Sequence, residues 1–406
     1  DTGSTQTLTF RGFEDLTGNT DSDEFGFVAG VTGSFVVTGG AGGGQDVVTS
    51  ADALTLTVDV LGGGSGTSGA AAVDFSDIEN LTGGSNNDRF TFTNTGSLTG
   101  SIDGGSGAGS DTVVGDDDGN AFAVTSQNGG TLTGKVAGGF INIENLTGGA
   151  GIDTFAVTAA GISGNLAGAG GADTFTIGPN QTVGGSAAGG AGDDQFDLAN
   201  GARITGGATG DAGEDTFTLA TGAVVTGSLA GGADDDLFTF GTGSILIGTI
   251  NGGGQAGDTI DGGDTATTYR ITGQNDGVLD GRMSGFTDVQ NLLGGTSVDT
   301  FRFEGNQARL DGTIDGGDAS DLLQTSDGID SVLLTGADAG TATVNLGMTE
   351  FVSIENVDLR SGNDTFTVDD GATLTGTLNG GFGDDELVGP AAGATFNVTA
   401  DNSGEL

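Results

Sequence analysis

Aspartate is the residue of this sequence best placed to act on something else, and it recurs in one setting, a glycine-rich turn. The turns read GGSNNDRF from Gly83, GGAGIDTF from Gly148, GAGGADTF from Gly168, GGAGDDQF from Gly189 and GDAGEDTF from Gly210. GGADDDLF from Gly231, GGTSVDTF from Gly294, RSGNDTF from Arg360 and GGFGDDEL from Gly380 continue the series. The aspartates that close them are Asp88, Asp153, Asp173, Asp194, Asp215, Asp236, Asp299, Asp364 and Asp385, with Asp193 and Asp234 beside two of them. Carboxylates stacked at one turn position repel, and a hard divalent cation with oxygen ligands removes that repulsion. Glycine supplies the left-handed backbone that turns carbonyls toward an ion. The chemistry expected of these positions is therefore Ca²⁺ binding, strongest at Asp194 with Asp193 and at Asp236 within its acidic run. The plainer alternative is that aspartate is simply a good turn residue and the column is solvated.

Stacking requires a fixed period, and the sequence has one. Asp173, Asp194, Asp215 and Asp236 are 21 residues apart, and Phe175, Phe196, Phe217 and Phe238 keep the same step. So do Ile162, Val183, Ile204, Val225 and Leu246, and Gly164, Gly185, Gly206, Gly227 and Gly248. Such a period means a solenoid, whose repeats bury their apolar faces only against their neighbours. Within one coil, Phe217 and Leu219 alternate with Thr216 and Thr218, which predicts a strand. Val225, Gly227 and Leu229 predict a second strand, its inward Gly227 leaving room for the ring of Phe217 or for its counterpart in an adjacent coil. The glycine density argues against helix, since each interior glycine costs about 1 kcal/mol relative to alanine.

A longer phrase overlies the short period. FSDIENLTGG from Phe75 returns as FINIENLTGG from Phe140 and FTDVQNLLGG from Phe286, with looser copies from Phe10 and Phe351. Its acidic or amide position falls at Glu14, Glu79, Glu144, Gln290 and Glu355, at spacings of 65, 65, 146 and 65. Three coils per 65-residue unit and four more inserted around 162–250 predict an all-β parallel β-solenoid of about 19 coils of roughly 21 residues. Residues 1–406 are expected to form a single continuous domain. The chain opens on Asp1 with no Met or signal-peptide pattern, so a mature product or a segment of something longer is expected. A following copy would place its first Glu 65 residues after Glu355, which suggests in-register tandem repeats or end-to-end stacking.

Composition narrows the function. The 406 residues include 86 Gly, 23 Phe, 56 acidic and 9 basic residues, for a net charge of −47. That charge argues against a nucleic-acid partner. Cys, His and Trp are absent. Disulfides, Cys/His zinc sites, Cys nucleophiles and His-based triads are thereby excluded. No apolar run of about 18 residues is present, so no membrane span is expected. Tyr269 with Arg270 invites an enzyme reading, but the basic residues are dispersed and build no catalytic cluster.

Gly149-Ala150-Gly151-Ile152-Asp153 and Gly190-Ala191-Gly192-Asp193-Asp194 resemble the glycine- and aspartate-rich calcium-binding repeats of secreted bacterial RTX proteins. More widely, the chain looks like very large repetitive surface proteins and adhesins of Gram-negative bacteria. The resemblance implies Ca²⁺ clamped between turn aspartates and backbone carbonyls of successive coils, and an extracellular, cell-surface location. Two departures stand out: the motif is read on one edge of the coil where the family has it on both, and several copies lose a glycine.

The expected function is thus non-enzymatic. It is a structural repeat segment of a bacterial surface fibre, stalk or adhesin, rigidified by Ca²⁺, with copies of itself or adjacent repeats as partners. The alternative is a binding module for a glycan or ice on flat outward faces. Thr174, Thr176, Thr216, Thr218, Thr365 and Thr367 suggest such a face, though Gln195, Asp197 and Leu237 interrupt it.

Overall fold

The computed structural model describes residues 13–40, 44–254, 257–395, 397–400 and 403–405, with side chains through 395. Phe10 and Arg11 of the loosest phrase copy, and most of the segment from Ala394, lie outside the described side chains. The described residues contain strands and no helix. They form a parallel β-solenoid, organised as two compact units, one ending at Gly170 and the other starting at Gly171.

The second unit opens with the simplest coils. Thr174–Ile177, Gln195–Leu198, Thr216–Leu219 and Leu237–Phe240 form one parallel face. Thr182–Val183, Arg203–Ile204, Val224–Val225 and Ile245–Leu246 form a second, short face. Ala187–Ala191, Ala208–Ala212, Leu229–Ala233 and Thr249–Gly253 form a third. Each residue pairs with the one a coil later, so side-chain columns follow from the period. Phe175, Phe196, Phe217 and Phe238 stack face to face with centroids 4.7, 4.7 and 4.9 Å apart. That spacing is the interstrand distance itself, so buried area and backbone pairing are satisfied by one geometry. The outward column is mixed: Thr174 faces Gln195, Thr176 faces Asp197, and Thr216 faces Leu237. No flat threonine array results.

The second strand differs from its expectation. Val224–Val225 and Leu229–Ala233 are two strands on two faces. Gly227 lies in the bend between them, where an added Cβ would run into the Gly206 carbonyl of the coil before. Its role is close backbone stacking, and it makes no space for Phe217.

The 65-residue unit also folds differently from three equal coils. In the first unit, Leu54–Val60, Gly63–Ser68 and Ala70–Ser76 form an antiparallel meander. Ala121–Ser126, Gly129–Leu132 and Val136–Ile141 form another. The second unit has equivalents at Thr268–Ile271, Gly277–Leu279 and Gly285–Thr287 and at Ser331–Leu334, Gly340–Val344 and Gly347–Val352. The outer strands of each meander pair parallel with the coils on either side, as Phe140 does with Ile102 and Phe122 with Phe155. A meander therefore adds two rows to the sheet that holds it. Its turn needs about 33 residues: the backbone of Asn120 meets the side chain of Asp153 across a separation of 33, against 21 for Asp194 and Asp215.

From Asp88 to Asp153 the chain crosses between the two sheets five times, so the 65-residue unit is two and a half turns. Asp299 to Asp364 repeats this in the second unit. The period alone thus overcounts the coils. Successive meanders within a unit consequently fall on opposite sheets, and the rows added to one are matched on the other.

Candidate functional site

The turn aspartates point inward and form ladders. Oδ1 of each accepts the backbone N–H of the aspartate one coil earlier. Asp173 N reaches Asp194 Oδ1 at 2.7 Å, Asp194 N reaches Asp215 at 2.8 Å, and Asp215 N reaches Asp236 at 2.9 Å. Asp236 N then reaches Asp258 at 2.9 Å, and the run ends on Gln290, whose Oε1 accepts from Asp258 N at 2.9 Å. Other runs begin on the backbone N–H of a different residue and end the same way. Leu54 N leads to Asp88, then Asp111, then Glu144 Oε2. Thr267 N leads to Asp299, Asp321 and Glu355 Oε2. Asp23 N leads to Asp46 and Glu79 Oε2.

The long phrase is therefore a ladder terminator. Its Ile78, Ile143, Val289 and Ile354 are fully buried anchors. The residue before each one is left-handed, at φ 54, 55, 54 and 54 for Asp77, Asn142, Asp288 and Ser353. The following asparagine links two coils: Asn145 Nδ2 donates to Asp111 O at 3.2 Å, and its Oδ1 accepts from Asn165 N at 3.0 Å. A glutamine serves as well as a glutamate because only a side-chain oxygen is required.

In the first unit the ladder through Asp88 precedes strands of one sheet, and Asn120 to Asp153 precedes strands of the other. The motif thus occupies both edges of the solenoid, correcting the one-edge reading.

Turn glycines explain how the carboxylates come to lie inside. An added Cβ on Gly189, Gly210 or Gly231 would fall on the carboxylate of Asp194, Asp215 or Asp236. Further along the turn the backbone is left-handed, at Gly190 (φ 118), Gly192 (φ 118), Asp211 (φ 79), Gly213 (φ 125), Gly232 (φ 130) and Asp234 (φ 75). Aspartate tolerates that region better than most residues, which is why copies that lose a glycine to aspartate still fold.

The expected site residues separate into three groups. Asp88 and Asp153 have both oxygens engaged, Oδ2 accepting from Gly84 N at 2.9 Å and from Gly149 N at 2.7 Å. Asp194, Asp215, Asp236, Asp299 and Asp364 are equally buried, but their Oδ2 atoms have no hydrogen-bond partner; Asp173 is a buried member of the same ladder. Asp193, Asp234 and Asp385 are exposed. Asp193 Oδ1 accepts from Glu214 N at 3.0 Å, and Asp385 Oδ1 from Asp364 N at 3.1 Å.

Among the ladder members that escaped the sequence reading are Asp111, Asp258 and Asp321, of which the last two also carry unpartnered Oδ2 atoms. The strands after them carry Val113, Ile260 and Leu323 where the motif has phenylalanine. The usable signal was their 22- or 23-residue spacing from Asp236, Asp88 and Asp299.

Burial dominates the electrostatics. Desolvation, reinforced by neighbouring carboxylates, pushes Asp215, Asp236 and Asp299 up to about 7. Asp111, Asp194, Asp258 and Asp321 are pushed up to about 6 by the same causes. The N–H bond to Oδ1 opposes the shift in each case without cancelling it.

These are all-oxygen donors, suited to a hard cation, and a buried carboxylate oxygen without a donor calls for a positive partner. Among the described residues no three acidic side chains converge into a cage. A cation here would share ladder carboxylates with turn carbonyls. No protein-family model matches this chain, and a search of curated proteins also returns no match.

Proposed function

We propose that this chain is a non-enzymatic structural segment of an extracellular bacterial surface fibre, stalk or adhesin, closed and stiffened by Ca²⁺ at its aspartate ladders. The carrying observation is the in-register column of buried aspartates whose Oδ2 atoms lack donors. Asp194, Asp215, Asp236, Asp258, Asp299, Asp321 and Asp364 would hold the ions. A bound divalent cation supplies the positive charge that lets these carboxylates stay ionised while buried. The chain's own contribution is to fix one carboxylate per coil through its Oδ1 hydrogen bond and to present turn carbonyls beside it.

Coupled folding follows from this reading. With Ca²⁺ scarce, the acidic chain resists closing; in a calcium-rich exterior it folds. The partners fitting this role are copies of the chain or adjoining repeats. Among the described residues Glu386–Val388 pairs on one side only, and its Leu387 and Val388 are exposed, as is Phe382 shortly before it.

The test is circular dichroism during Ca²⁺ titration after EDTA treatment. A gain of β signal or a rise in Tm is expected. An unchanged spectrum and Tm would sink the calcium reading and leave an intrinsically stable solenoid.

A further inference from the structure

Lys135 is the only lysine in the sequence, and its ammonium is turned inward. It sits in the turn between Gly129–Leu132 and Val136–Ile141, the tip of a meander in the first unit. Its side chain is 14% exposed, and that of its partner Asp116 is 1% exposed. The ammonium ion-pairs with Asp116 Oδ2. It also donates to Asn94 O at 2.8 Å and Thr93 O at 3.2 Å.

One buried carboxylate and two backbone carbonyls are the ligand types a hard metal ion takes. They hold the ammonium at an acidic turn, Asp116-Asp117-Asp118. Asp116 Oδ1 is already committed to Asp118 N at 3.2 Å, and Asp117 Oδ1 to Ala150 N at 3.1 Å. An open cleft of about 620 Å³ reaches Thr93, Asn94 and Asp116 from solvent.

The same position recurs in the second unit. Arg282 follows Gly281 (φ 76) as Lys135 follows Gly134 (φ 80). Its N–H bonds Leu279 O at 3.1 Å and its carbonyl accepts from Leu246 N at 2.9 Å. Lys135 makes the counterparts with Leu132 at 3.2 Å and Leu98 at 2.6 Å. Arg282 Nη1 donates to Gly241 O at 2.8 Å. These two meander tips direct a cationic group onto carbonyls of an earlier coil, and at Lys135 a carboxylate joins them.

We propose that Asp116, Thr93 O and Asn94 O form a cation site that the chain fills with its own Lys135 ammonium, and that vacating it creates a site for Ca²⁺. This turn is then closed without metal. The inference stands apart from the calcium reading of the ladders, because it concerns a turn that needs no ion in the native chain.

The test compares the full chain with Lys135→Met and with Asp116→Asn/Lys135→Met. Each is stripped with EDTA and titrated with Ca²⁺ alone by calorimetry, with Tm recorded at both ends. Lys135→Met is expected to melt several degrees lower than the native chain in EDTA, to recover in Ca²⁺, and to bind one ion more. The double variant, which removes charge and counter-charge together, is expected to lose the extra ion and to depend less on Ca²⁺. Equal stoichiometry in Lys135→Met and the native chain overturns the proposal. So does a Lys135→Met chain that folds in neither condition, or an extra ion retained by the double variant. A native chain that binds no Ca²⁺ beside a Lys135→Met chain that binds one would defeat the ladder reading and uphold this one.

Discussion

At the level of the single residue, the ladder aspartate does two things that conflict. Its Oδ1 satisfies a backbone N–H of the neighbouring coil, while burial makes its charge costly. The sign of the pH response follows. Folding raises Asp215 and Asp236 from the ordinary 3.8 to about 7, so the folded chain holds these protons more tightly than the unfolded one. Their favourable contribution is fully present below the unfolded value and disappears as pH rises through the folded one. In EDTA, Tm is therefore expected to fall between pH 5 and pH 8, and Asp215→Asn, which keeps the Oδ1 acceptor without the charge, is expected to flatten that slope. A Tm that climbs with pH across this range would show that ladder desolvation does not govern stability. The inward position of these carboxylates was only half legible in the sequence. The spacing of Asp194, Asp215 and Asp236 shows that they stack, but nothing local distinguishes a side chain turned in from one turned out. The distinction lies in Gly189, Gly210 and Gly231, whose missing Cβ atoms leave the room the carboxylates occupy.

Among the elements, the turn is less tolerant than the strands it joins. Two glycines of one coil separate conformational freedom from close approach. Gly222 is left-handed at φ 67 with open space around it. Gly222→Ala is expected to cost about 1–2 kcal/mol, the strain of that backbone region. Gly231→Ala places a methyl on the Asp236 carboxylate and is expected to cost more, about 3 kcal/mol or above, because backbone or ladder must shift. Urea unfolding of both variants decides it; equal losses would mean that the contact relaxes freely. The Phe217 strand was readable because alternation and period agree there. The meanders were not, because alternation reports a strand without its direction. Asn128-Gly129, a hairpin turn pair by composition, was the local hint, and Asn128 is indeed left-handed at φ 52.

For the whole chain, repetition makes stability a sum of coils and their interfaces. Removing Gln195–Asp215 joins Asp194 to Thr216 in the register that Asp215 had, leaving the phenylalanine column and the ladder one member shorter. The shortened chain is expected to fold with an unchanged circular dichroism line shape and a Tm lower by a few degrees, while removing about half as many residues should abolish folding. A collapse on removing the full 21 residues would mean that the coils are not interchangeable. The unit of two and a half turns behaves otherwise. Deleting or duplicating a 65-residue unit sends the strands that follow to the opposite sheet, so lengthening by recombination carries a parity. An odd number of added units reverses which side of the solenoid a downstream surface faces, and an even number restores it. Single 21-residue coils carry no such penalty, so length can drift one coil at a time while changes by the larger unit are constrained to pairs wherever a particular side must be presented.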